Sequence, residues 1–582
     1  MILTLKGVTM ASMNRGFLAM VALVLSAPSL IGQQPPADFL LLNGKIFTSN
    51  SSQAFAEALA IRGDRIQAVG TAQSVVAFAG PQTKRINLGG RVVIPGINDA
   101  HYHFLPRPLA HQVAFDERDP SWEMVKRKIT TAVANTPQGT LINAVIGIAV
   151  LDDVDASRAT LDRLAPSHPV QLTCFWGHCS IFNSAFMRKV AIADKEPDPP
   201  GGFYTRETGG RLTGRTIEYA NFRLHATLQH MTPEGVQLQD ANRLFSEAIR
   251  FGITSIQIMA IGSRDETAAI MRKAGSPIRI RVIDFPTFSP GERMEPPQLR
   301  DMNNVSINGV KWILDGDPIA RTAAVREPYA DSPNNHGRED FSEEEMERIL
   351  RSALESDEPL LVHIVGDRTT EDFLKAMMAT GGPAVWSRRR VRIEHGEGLL
   401  PDLVSKAKEL GVIVVQNPTD FTLGKLFVMR YGREGAVQHQ PFHSLLQAGI
   451  PIAIGSDGAT TVPSSTAASF QPDREINRYL NLMFAADDPF RPGESMTREQ
   501  AIIAYTLTSA FAEFAEKDKG SLQTGKFADL AVLSQDIFQV KSEALPNTVS
   551  VLTMVGGKIV YDPKVVRVQG TSRSTDNSGN RK

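Results

Sequence analysis

Cysteine is almost missing from this chain. Only Cys174 and Cys179 occur among 582 residues, which excludes a small fold held by a disulfide framework. Spacing alone leaves the pair open between one bridge and two free thiols. A charge excess is missing too: 62 Lys and Arg stand against 63 Asp and Glu, for a net charge of −1. With no long basic run, nothing points to nucleic acid or an anionic membrane surface as a partner. There is no internal repeat of fixed period and no coiled-coil heptad pattern. No GxGxxG follows an early strand, which argues against a dinucleotide-binding fold.

Long apolar runs are scarce as well. The stretch from Phe17 to Ala27 follows Met13 and Arg15 and is followed by small and polar residues. It is short for a membrane span and reads as a secretory signal over residues 1–33. No cysteine lies near its end to carry a lipid. The expectation is export from a bacterial cytoplasm, to the periplasm or medium, without stable membrane insertion. Homo-oligomerisation is left open.

What is present falls into two textures. Residues 38–94 are strand and turn, and "FLLLNGKIFTS" carries an Asn-Gly between apolar runs, the signature of a hairpin. "ALAIRGDRIQAVG" repeats the pattern, and "FADLAVL" and "VSVLTMVGGKIVYD" near the far end resemble it. These flanks predict one small β domain built from 38–94 and 516–565, with a disordered tail at 566–582. The middle, 95–515, alternates: apolar strands ending in "DAHYHF", "ITSIQIMA", "IRIRVIDF", "GVKWILDG", "LLVHIVGD", "VRIEHGE", "VIVVQNP" and "IPIAIGSDG" are separated by helical patterns. Ser342 followed by Glu345 marks one helix start as a capping box. About eight such units favour a (β/α)₈ TIM-like barrel over an open sheet. Residues 105–235, rich in Gly, Pro and charge, read as a long excursion over the active-site face.

Polar residues stand where barrel enzymes keep their chemistry, at the C-terminal ends of strands. His101 and His103, two apart on a strand, project to one face and make half a metal site. Lys311, His363, His395 and Asp457 occupy the equivalent ends of later strands. One such histidine alone is most often a hydrogen-bonded core or rim residue. Four with an acid, converging on one rim, suit a metal.

The segments "VVIPGINDAHYHF", "LDRLAPSHPV", "GHCSIFNS", "EPDPPGG", "GVKWILDG", "RTAAVREPY", "LLVHIVGD", "RIEHGE", "GSDG" and "GSLQTGKFADLAVL" together resemble the metal-dependent amidohydrolases, in particular amidohydrolase family 3 and its N-substituted formamide deformylase-like branch. The resemblance runs from about residue 38 to 565. It implies a (β/α)₈ barrel with a β-sandwich from both termini. It also implies His101, His103, His363, His395 and Asp457 as ligands of one or two divalent metal ions, zinc by preference. Lys311 falls where two-metal members carry a carboxylated lysine (N6-carboxylysine). The alternative is an ordinary lysine paired with Asp315 or another acid, with a single ion on His101, His103, His363 and Asp457.

The implied reaction is hydrolysis of the C–N bond of a small-molecule amide, N-acyl or N-formyl, by a metal-activated water. Asp457 would carry the proton and His178 would stabilise the oxyanion. The alternatives are a cyclic amide, a carbamate, an ester or a deamination, and, further off, a non-catalytic metal-binding protein. The chain departs from the family at Trp176, where an acid or Ser is common, at Gly458 and Ala459, where Ala-Pro is common, and in "NPTDFTLG". These positions bear on the substrate. With Phe175, Trp176, Phe421 and Phe427 they suggest an apolar or aromatic acyl or amine group.

Overall fold

The computed structural model describes residues 35–569, except 107, 118, 288–289, 291–300, 303, 357, 460–476 and 489–490. Residues 1–33, the expected signal segment, and the chain beyond 569 lie outside the described residues. Among those described, no helix is long and apolar enough to cross a membrane.

Eight parallel strands form a barrel: β1 (Ile97–His103), β2 (Ile253–Ile261), β3 (Arg279–Phe285), β4 (Val305–Ile313), β5 (Leu360–Ile364), β6 (Arg392–His395), β7 (Ile413–Gln416) and β8 (Ile452–Ile454). They neighbour one another in chain order, and β2 is buried along its whole length, as a strand covered on both faces must be. The eighth unit closes the ring in two pieces. β8 pairs with β7, and after Asp457 the pair Gly458–Ala459 lies beside Tyr102 and His103 of β1. The helix after β4, Glu343–Glu355, starts with the expected Ser342–Glu345 capping box.

Both ends of the chain build a β-sandwich against the barrel. One sheet runs Val568–Gln569, Lys84–Asn87, Phe39–Leu42, Ala58–Arg62, Arg65–Gly70; the other runs Lys558–Tyr561, Ser550–Val555, Leu530–Leu533, Val92–Pro95, Lys45–Phe47, Phe55–Ala56. Leu41, Ile61, Ile86, Val93, Leu530 and Leu552 meet between them. The Gly556–Gly557 turn makes a hairpin, with both glycines at positive φ. The Asn43–Gly44 turn does not. Phe39–Leu42 pairs with Ala58–Arg62 and Lys84–Asn87, whereas Lys45–Phe47 pairs with Val92–Pro95. Both flanking runs are apolar because they face one core from opposite sheets. Asn43, at φ 58°, turns the chain from one sheet to the other. Val568–Gln569, which the sequence puts in the tail, pair with Ile86 and Arg85 at a sheet edge.

The excursion after β1 is a folded layer. Strands from His111–Val113 to Leu212–Glu218 form a six-stranded sheet. Val125, Ile129, Ile142, Leu161 and Leu172 give it a core of its own. Cys174 and Cys179 are bonded to each other within it. The helix Glu234–Arg250 then returns the chain to β2.

Candidate metal centre

β1 ends at the barrel mouth with His101 and His103 on one face. His101 Nε2 is 3.3 Å from His103 Nε2 and 3.5 Å from Asp457 Oδ1, and His103 Nε2 is 3.3 Å from the same oxygen. Donors about 2.0–2.1 Å from a tetrahedral zinc stand about 3.3 Å apart, so this triangle has the dimensions of one face of a coordination shell. Lys311, buried on β4, has its Nζ 3.0 Å from His101 Nε2. His363 and His395 form a second pair beside the triangle, with ring centroids 4.4 Å apart and His395 5.1 Å from His101. The structure thus brings all six barrel residues to one rim, with His101, His103 and Asp457 the tightest set.

Two of these residues have left-handed backbones: His395 at φ 66° and Asp457 at φ 50°. Such conformations cost energy in residues other than glycine and persist where the surroundings hold them. The Asp457 N–H donates to the His101 carbonyl at 2.9 Å, which ties the acid to β1.

Burial keeps the imidazoles neutral, as metal ligands require. It lowers His101, an effect Lys311 reinforces, and pushes His103 down to about 3. It carries His363 and His395 well below the usual histidine range. Beneath them, Glu394 lies 2.7 Å from His101 Nδ1 and receives Arg392 at 2.8 Å. Burial works to raise Glu394, but Arg392 and His101 outweigh it and hold the carboxyl down to about 2. This carboxylate fixes the His101 tautomer and turns Nε2 toward the triangle. Asp315 is occupied otherwise than as a lysine partner would be: its carboxylate accepts the backbone N–H of Val365, Gly366 and Ala324.

The inserted layer supplies the facing wall. A cavity lies between His103, Lys311, His363, His395 and Asp457 on the barrel side and Phe175, Trp176, His178 and Phe222 on the other. His178 packs its ring against His363 at 5.1 Å. Its Nδ1 meets Glu218 Oε2 at 2.6 Å, with Asp317 Oδ2 at 3.9 Å. Glu218 is fully buried, and burial together with Asp317 raises its carboxyl well above the usual range. It sits at φ 51°, ψ −126°, and its N–H donates to the His178 carbonyl at 2.9 Å. Phe427 faces a different cavity, beside His439, and the Phe421 side chain lies outside the described residues.

Sequence reasoning missed Glu218, Asp317 and Glu394. Asp317 stands just past "GVKWILDG" and Glu394 inside "RIEHGE", but no spacing rule assigns a second carboxylate to a histidine on another strand. Glu218 closes an inserted strand whose path the sequence did not reveal.

Residues 84–561 match the family model described as "Amidohydrolase family". The chain is similar to the N-substituted formamide deformylase of Arthrobacter pascens, at 23% identity over 551 residues, covering 90% of this chain and 98% of that one. It is 28% identical over 560 residues to the protein LONG AFTER FAR-RED 3 of Arabidopsis thaliana, covering 90% and 92%. Among solved structures, an uncharacterized metal-dependent hydrolase from Pyrococcus horikoshii OT3 has the same fold. The TM-score is 0.63 at 19% identity, over 87% of this chain and 99% of that one.

Proposed function

This chain belongs to the amidohydrolase family of metal-dependent hydrolases, and from that premise we propose that it hydrolyses the C–N bond of a linear amide of the N-acyl or N-formyl type. The observation that carries the reading is the His101–His103–Asp457 triangle facing His178 across one cavity. The likeness to a formamide deformylase over nearly the whole chain supports it.

His101, His103 and Asp457 would hold a divalent ion, Zn²⁺ by preference, with His363 and His395 beside it. Such an ion supplies a more acidic water and a polarised carbonyl. Asp457, held by the His101 carbonyl, takes the water's proton on its carboxylate and passes it to the leaving nitrogen, which departs poorly as an anion. Glu394 keeps the proton on His101 at Nδ1. His178, fixed through Nδ1 by Glu218, offers Nε2–H to the carbonyl oxygen as negative charge develops there. Lys311, buried against His101, is a candidate for carboxylation, since a carbamate would replace an ammonium among cation ligands with an anion. We place the protein outside the bacterial cytoplasm, a reading the Cys174–Cys179 bond supports.

The test is product analysis with N-benzylformamide and longer N-benzyl amides. Benzylamine and carboxylate should appear in equal amounts. Chelation should abolish the reaction, and Zn²⁺, Mn²⁺ or Co²⁺ should restore it. Full turnover by demonstrably metal-free protein would overturn the site, and release of ammonia without amine from a panel of amides and amino-heteroaromatics would replace amide cleavage with deamination.

A further inference from the structure

The inserted sheet turns a polar face toward the loop after β1 and the helix Tyr219–Met231. Three of its strands, His111–Val113, Ile142–Ile146 and Val170–Cys174, run parallel in register, with Asn143 opposite both Gln112 and Gln171. Alternation along a strand puts these three carboxamides in one cross-strand row. The other face is hydrocarbon: Ile142, Ala144 and Leu172 are buried in the layer's own core.

The row lines a second cavity. This chamber adjoins the one at the metal centre, and Leu105, Val145, Thr173 and His225 line both. Among the described residues that line it there is no carboxylate, ammonium or guanidinium. Asn143 and Gln171 are buried, and their amides are held only by long bonds: Asn143 Nδ2 to Thr173 Oγ1 at 3.3 Å, to Gln171 Oε1 at 3.4 Å and to the Gln171 carbonyl at 3.5 Å, and Gln171 Nε2 to Ser180 Oγ at 3.3 Å. Gln229 also lines the chamber, and its buried Oε1 has no hydrogen-bond partner among the described residues. Burying carboxamides on a strand face that a Val or Leu could fill is costly unless something bonds to them.

We propose that the Gln112–Asn143–Gln171 row is a specificity subsite that receives an uncharged hydrogen-bonding group, a carboxamide or hydroxyl, on the arm of the substrate reaching away from the scissile carbonyl. Carboxamides both donate and accept, so they match such a group. An alkyl end would leave them facing hydrocarbon, and a carboxylate end, which only accepts, would leave the row's carbonyl oxygens unmatched. The apolar wall of Phe175, Trp176 and Phe222 in the first chamber is left for the other arm. The inference rests on the linear-amide reading above and narrows it.

Three N-benzyl amides of similar shape test it on the full-length, metal-replete protein: N-benzylsuccinamide, N-benzylsuccinamate and N-benzyl-4-methylpentanamide. The carboxamide-ended compound should have a kcat/KM about tenfold or more above both others, the factor that one or two well-made hydrogen bonds supply. Asn143→Leu should reduce that preference at least threefold. Gln112→Leu, at an exposed position that should not threaten folding, should reduce it in the same direction. Equal kcat/KM for the three, or a preference for the acid or the alkyl end, overturns the subsite. If none is hydrolysed, calorimetric titration with the same compounds decides. Tighter binding of the succinamide that both variants weaken keeps the subsite and sinks only amide cleavage. Equal or absent binding sinks the subsite.

Discussion

Asp457 is the residue on which most of the proposed chemistry turns. Its left-handed backbone, at φ 50°, makes Asp457→Asn a clean substitution, because Asn tolerates that conformation. The amide keeps the shape and loses the proton carrier. We expect kcat on an amide to fall about 10²–10⁴-fold, with a smaller loss on an activated ester, whose leaving group needs no proton. Metal content measured beside both rates separates this from loss of the ion. Near-normal amide turnover by metal-replete variant would remove Asp457 from proton transfer.

His439 makes a different prediction. Burial, reinforced by Arg491, lowers its pKa to about 4, against an ordinary 6.5. The folded imidazole refuses a proton that the unfolded chain accepts below pH 6.5. Stability should therefore be unaffected by this group above pH 6.5. It should decline from there toward pH 4, by up to about 3 kcal/mol in total. Denaturation curves from pH 7 to 4 should show a shallower decline in His439→Gln, and parallel declines would mean His439 titrates normally. At this scale the sequence was informative where placement follows from spacing, as with His101 and His103 at the end of one strand. It was silent where a partner arrives from a distant strand, as Glu218 does for His178.

At the scale of elements, the segment from Cys174 to Cys179 carries Phe175, Trp176 and His178, three walls of the cavity, inside a tether closed by a disulfide. Closing so short a loop stabilises the fold by only about 2 kcal/mol, so the bond matters more for where His178 points. Reduction, or Cys174→Ser with Cys179→Ser, should lower kcat on amides severalfold while moving Tm by only a few degrees. Undiminished kcat after complete reduction would show that the sheet alone holds the loop. The barrel strands were legible because buried parallel strands are continuous apolar runs ended by polar residues. The Asn43–Gly44 hairpin misled because turn chemistry reports a local bend and says nothing about which sheet receives the next strand. The inserted sheet was hidden because short, half-buried strands amid Gly and Pro resemble loop.

At the scale of the molecule, the sandwich depends on both ends of the chain. Among the described residues the N-terminal end contributes seven short strands and the C-terminal end four, three of which make up half of the second sheet. Ending the chain after Lys519 would remove the strands Leu530–Leu533, Ser550–Val555 and Lys558–Tyr561 from the second sheet. Hydrogen exchange should then speed up at Val92–Pro95 and, through Gly96, at the start of β1. Unchanged exchange there would mean that the N-terminal half is self-sufficient. The same pairing sets a clock. Leu530 lies opposite Pro95, yet a ribosome adding 5–20 residues per second reaches it about 20–90 s later. During that interval Val92–Pro95 waits without its antiparallel neighbour. Slow elongation and late premature termination therefore feed one hazard, edge-to-edge pairing between nascent chains on neighbouring ribosomes.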